Sequence, residues 1–117
     1  MDKLQENLDR LNTIADFKDN WNGYGAIPFS SELIHNAKNI LVNLHQQPDL
    51  FPTAQPSIQL EYECNDESYL EINIFENSVS VMQISQEDYD NAIFWDLLCD
   101  DIEQINKIIN QFFTMSV

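Results

Sequence analysis

The chain has 117 residues, which suits one domain built on a single modest core. Apolar residues make up 44% and aromatics 11%, a composition that excludes a disordered acidic tail. Twenty Asp and Glu against five Lys and Arg give a formal net charge of −15, so direct binding to nucleic acid or to an anionic membrane is disfavoured.

The spacing of Leu4, Leu8, Leu11 and Ala15 predicts an amphipathic helix over residues 2–19. Residues 20–29 interrupt it and hold both glycines, Gly23 and Gly25. A second helix is expected from Ser30, whose hydroxyl can cap its first turn, with Leu33, Ala37, Ile40, Leu41 and Leu44 as its buried stripe. The segment Gln46–Pro56 carries three prolines and reads as an extended connection.

Beyond it the period becomes two. Ile58, Leu60, Tyr62 and Cys64 alternate with Gln59, Glu61 and Glu63, and Leu70, Ile72 and Ile74 alternate with Glu71 and Asn73. Asn65–Ser68 and Glu76-Asn77 are the turns, and Val79–Ile84 is a third strand. Residues 85–98 read ambiguously: Ile93-Phe94-Trp95 with Leu97-Leu98 is either core under a loop or an exposed interaction patch. A last helix is expected from Asp100, with Glu103 completing a capping pair and Ile102, Ile105, Ile109 and Phe112 buried. The expected fold is one α+β domain over residues 1–117: two N-terminal helices, a three-stranded antiparallel meander and a C-terminal helix.

Charge is unevenly spread over this frame. Between Lys38 and Lys107 there is no Lys or Arg, yet that stretch holds fourteen of the twenty acids. The shortest plausible hairpin turn sets Glu63 opposite Glu71 and Glu61 opposite Asn73 on the outer sheet face. Like charges so opposed repel, and neither strand carries a cation to relieve them. Three readings compete: a solvated face, a docking surface for a cationic partner, and a cation-binding or two-carboxylate catalytic site. Docking gains weight from the acids that follow, Glu87, Asp88, Asp90, Asp96, Asp100, Asp101 and Glu103. The expected partner-binding set is Glu61, Glu63, Glu71, Asp88, Asp90, Asp96, Asp100 and Asp101.

Trp21, Gly23, Tyr24 and Gly25 are expected to form a structural connector. Its glycines would end the first helix, and its aromatics would wedge helices and sheet together. A pocket lined by those aromatics is the functional alternative. Trp21-Asn22-Gly23-Tyr24-Gly25-Ala26, with Phe51-Pro52-Thr53, the run Ser57–Glu63 and Tyr69-Leu70-Glu71-Ile72, resembles a family of small bacterial and phage proteins. Its members combine a W-[ND]-[GS]-Y-G-A connector with a P-T…I-Q-L-E-[YW] strand. The resemblance covers about residues 4–75, places Glu61 and Glu71 within the family pattern, and implies little chemistry.

His35 and His45 have no neighbours at zinc-ligand spacing, and Cys64 and Cys99 form no C-x-x-C pair. Two reduced thiols are the plainer reading and a disulfide the alternative. No metal or cofactor is expected. No apolar run reaches membrane-span length and the N-terminus is too polar for a secretory signal, so a cytoplasmic protein is expected. These features point to a non-enzymatic inhibitor or antitoxin-like protein whose partner is a basic protein surface, such as a nuclease or toxin. A small metal-dependent or carboxylate-based enzyme that uses the acidic sheet face is the alternative.

Overall fold

A computed structural model describes residues 2–86 and 88–115. The chain begins with α1 (Lys3–Ala15), where the Asp2 carboxylate accepts from the Gln5 amide as N-cap. The helix is shorter than its pattern implied and ends at Asp16. Ile14 rather than Ala15 turns inward, because the stripe of a 3.6-residue helix drifts. α2 (Ser31–Asn43) starts as expected, with the Ser30 hydroxyl accepting from the Leu33 amide and the whole predicted stripe buried.

The sheet is larger than the expected meander. Five strands, β1 (Asp49–Thr53), β2 (Ser57–Glu63), β3 (Tyr69–Ile74), β4 (Val79–Ile84) and β5 (Ile93–Leu97), lie in sequential antiparallel order. β1 hid in the proline-rich connection and β5 in the ambiguous apolar patch. Both are five-residue edge strands, too short to show a clear alternation. A single 3-10 turn, Tyr89–Asn91, leads into β5, and α3 (Ile102–Met115) closes the chain. α3 starts one residue later than expected, with Asp101 rather than Asp100 at the cap position and its carbonyl accepting from the Ile105 amide.

The β2–β3 register also differs. Glu61 faces Glu71, Gln59 faces Asn73 and Glu63 faces Tyr69, a slip of two residues from the expected pairing. The cause is a tighter turn. The Cys64 amide donates to the Ser68 carbonyl, the Glu67 amide donates back to the Cys64 carbonyl, and Glu67 sits at φ 71°. A left-handed residue closing a three-residue loop usually announces itself as glycine, and here it is glutamate. A slip of two preserves which face each side chain occupies and changes only its cross-strand partner.

One face of the sheet is the floor of the core. Leu50, Leu60, Ile72 and Val81 form one buried cross-strand row, and Ile58, Ile74 and Val79 another. Leu11 and Ile14 of α1, the α2 stripe, and Ile105, Ile108, Ile109 and Phe112 of α3 pack on them in one cluster. Two buried asparagines tie α1 and α3 to the end of α2 and the segment between α2 and β1. Asn7 Nδ2 donates to Gln47 Oε1 and to the Pro48 carbonyl, while Asn106 Nδ2 donates to the Asn43 carbonyl and its Oδ1 accepts from the His45 amide. No helix among the described residues is long and apolar enough to cross a membrane.

Candidate functional site

On the opposite face the slipped register builds a row the sequence did not foretell. Asp49, Glu61 and Glu71 occupy adjacent positions on β1, β2 and β3, followed by Met82 and Phe94 on β4 and β5. Three carboxylates thus stand side by side across three strands. Strands lie about 4.8 Å apart, so each acid feels its neighbour's charge at close range.

What holds them is mostly uncharged. Glu71 Oε1 accepts from the Tyr69 hydroxyl at 2.9 Å and its Oε2 from Asn73 Nδ2 at 2.9 Å. Glu61 Oε2 accepts from Gln59 Nε2 at 2.6 Å. Asn73 is fixed in turn by the Ser57 hydroxyl, and Ser57 shares a 2.6 Å hydrogen bond with Thr53. Donors two residues away on the same strand share a face with the acid they serve, so the alternation that places the acids also places their donors. Among the described residues only Asp49 of the three meets a cation: Lys3 Nζ lies 2.7 Å from Asp49 Oδ1, and both groups are solvent-accessible. Neutral donors fix the position of a carboxylate without cancelling its charge.

Burial, then the hydrogen bond to Glu71 and the charges of Glu71 and Glu61, push the Tyr69 hydroxyl well above its ordinary pKa. It therefore remains a donor through the physiological range. Beside it an open cleft of about 640 Å³ is lined by Glu63, Tyr69, Met82, Ile84 and Tyr89 among others.

The eight predicted partner-binding acids do not form one patch. Glu61, Glu63, Glu71 and Asp96 share the outer face, with Asp96 opposite Ser80 on β5. Asp88 and Asp90 lie at one end of β5, in and before the 3-10 turn, where Asp88 Oδ2 accepts from Asn91 Nδ2. Asp100 and Asp101 lie past its other end. The fold separates the last two groups by the length of a strand, which the linear charge run could not reveal. Glu87 lies outside the described residues. Sequence reasoning missed Asp49 and Tyr69; Pro52 masked the strand that carries the first, and the mistaken register hid the proximity of the second.

The connector is structural in a different way from the one expected. Trp21 packs with Phe17 and Phe29 at ring separations of 5.1 and 5.7 Å and donates its Nε1–H to the Ile27 carbonyl. Gly23 and Gly25 take φ 78° and 86°, yet they lie well beyond the end of α1 and do not terminate it. They close a loop in which Asn22 Oδ1 accepts from the Tyr24 and Ala26 amides and Asn20 Oδ1 from the Gly25 amide. Tyr24 is not a wedge: it is 93% exposed at the apex of that loop. Cys64 and Cys99 are both free thiols. Burial first, then the Asp100 and Glu32 charges, raise the Cys99 pKa, which favours its protonated form.

Among the described residues no three His, Cys, Asp or Glu side chains converge to hold a metal ion. Comparison with protein-family models, curated proteins and solved structures gave no match. The family resemblance therefore rests on its motif residues alone.

Proposed function

We propose that this protein is a non-enzymatic binding protein that docks its acidic sheet face on a basic surface of another protein, of the kind that nucleic-acid-processing enzymes and toxins use to hold phosphates. The observation that carries the reading is the Asp49–Glu61–Glu71 row, in which Glu61 and Glu71 are held by Gln59, Tyr69 and Asn73 without being neutralised. Opposed like charges cost a sheet stability, on the order of 0.2–1 kcal/mol per pair, so the arrangement works against the fold that displays it. Carboxylates fixed before encounter lose little side-chain freedom on binding and can accept paired hydrogen bonds from Arg. Their field also steers a cationic partner, which makes association salt-dependent. Inhibition of a nucleic-acid-targeting defence enzyme, or neutralisation of a toxin, fits this chemistry.

The test is capture of basic proteins from the native cell at low and high salt, using the natural chain and a Glu61→Lys, Glu63→Lys double variant. Binding that weakens with salt and is lost on charge reversal supports the reading. Capture indifferent to both would exclude electrostatic docking through this face.

A further inference from the structure

The rim of the sheet at β5 differs from its outer face. β5 is the last strand in the order, and among the described residues its only strand neighbour is β4. Its other side therefore offers a row of main-chain N–H and C=O groups with no sheet partner. The strand is anchored, because Trp95 and Leu97 pack on the core. Its remaining apolar side chains face solvent: Phe94 is 70% exposed and Ile93 is also exposed, as is Leu98 just past the strand. Natural edges are usually blunted by Pro, Lys or a bulge, and β5 has none of these within Ile93–Leu97.

Its surroundings specify what could pair with it. Asp88 and Asp90 stand before the strand, Asp96 within it, and Asp100 and Asp101 after it, with no Lys or Arg in the same stretch. A second copy of the chain is a poor occupant. Antiparallel pairing of two β5 strands in the register centred on Trp95 would set Asp90 of each copy near Asp100 of the other, between molecules that each carry a formal charge of −15. A strand with the opposite charge pattern meets the same edge without conflict.

We infer that β5 is a docking edge for an extended, Lys- or Arg-flanked apolar segment of a protein partner, which adds to the sheet as a sixth strand. Main-chain hydrogen bonds to the free side of β5 give such a segment its alignment, and alternate side chains give it selectivity. On the outer face an apolar residue lies beside Phe94 and a basic residue, two positions along, lies beside Asp96. Basic residues at its ends meet Asp88 and Asp90 on one side and Asp100 and Asp101 on the other. The separation of these acids into two end groups, which spoils them as one patch, suits them to a bound strand. The inference deepens the docking reading and rests on it for the sign of the partner's charge.

The probe is a synthetic decapeptide of alternating Val and Thr with a pair of Lys at each end, compared with a twin N-methylated at alternate backbone nitrogens and with a Glu-ended version. The full chain should bind the first at low salt, with hydrogen exchange slowed at alternate β5 amides. Methylation should weaken binding by about tenfold or more at unchanged charge, because it removes the donors that pair with the edge. The Glu-ended peptide should not bind. Phe94→Ser, at a position 70% exposed, should also weaken binding while the circular dichroism spectrum stays that of the natural chain. Equal binding of the methylated twin, with perturbations at Glu61 and Glu71, would overturn edge pairing while leaving outer-face docking in place. So would failure of all peptides while salt-sensitive capture through Glu61 and Glu63 persists. A concentration-dependent dimer abolished by Phe94→Lys would make a second copy the occupant and overturn the assignment.

Discussion

At one edge of the sheet β1 carries Pro52, which has no N–H to offer, and α1 lies alongside with Lys3 paired to Asp49 and the Arg10 guanidinium 5.4 Å from the centre of the Phe51 ring. At the other edge β5 has neither a proline nor a basic residue, and Phe94 stands in water. Two of the chain's five cations attend the first edge, while the acids of residues 88–101 surround the second. The difference shows where this molecule spends protection and where it withholds it. An anchored edge strand with an exposed phenylalanine and Asp96 as its one charge invites pairing with a cationic strand, and negative charge at both ends restricts which strands can accept.

The sharpest way to break this contrast is to truncate one side chain at each edge. Leu50, 2% exposed, is part of the core row, so Leu50→Ala should cost about 2–5 kcal/mol in urea unfolding. Phe94→Ala should stay within about 0.5 kcal/mol, as exposed substitutions usually do. A loss above about 1 kcal/mol for Phe94→Ala would make β5 a structural edge rather than a docking one.

Asn7 tests what holds the guarded side in place. Its amide satisfies the Pro48 carbonyl where the chain enters β1, so Asn7→Ala strands a buried acceptor and should cost about 1–3 kcal/mol by the same assay.

Between the edges lies the acid row, and the Tyr69 hydroxyl that donates to Glu71 beside it responds to alkaline pH. Its folded pKa is raised above the ordinary 10.0, so the unfolded chain releases that proton first as pH rises. The stabilisation is complete below about pH 10 and is lost as pH climbs beyond it. Tyr69→Phe should remove about 1 kcal/mol near neutrality, through the lost hydrogen bond to Glu71, and should make the alkaline decline shallower. The decline should persist in part, because burial raises Tyr62 in the same sense. An unchanged alkaline slope would remove Tyr69 from this role.

The smallest effect has the most telling sign. Glu61→Lys replaces a like-charge pair with Glu71 by an opposite one, so thermal unfolding should show a gain of roughly 0.2–1 kcal/mol. The same variant should capture partner less well. If stability falls with binding, the weakened capture reflects damage to the fold and not a lost docking charge.

Much of the frame was legible from residue order. The α2 stripe, the Ser30 cap and the alternation of β2, β3 and β4 follow from side-chain period and capping chemistry, which act over a few residues. Glu61 and Glu71 could be assigned to the outer face for the same reason. Their direct opposition could not, because it depends on Glu67 adopting a left-handed conformation that nothing in its identity announces. Tyr24 reads as a buried aromatic by composition and stands exposed because Asn20 and Asn22 tie the loop beneath it.

The sequence by itself determined the acidity of the protein, its helices and central strands, and the face on which most of its strand-borne acids lie. Each is a local property of composition or spacing. Only the tertiary structure decided that β1 and β5 join the sheet, that Asp49, Glu61 and Glu71 stand in a row, and that the later acids divide between the two ends of an open edge. Those outcomes depend on pairing between segments distant in the chain, where a turn one residue tighter at each side exchanges every cross-strand neighbour.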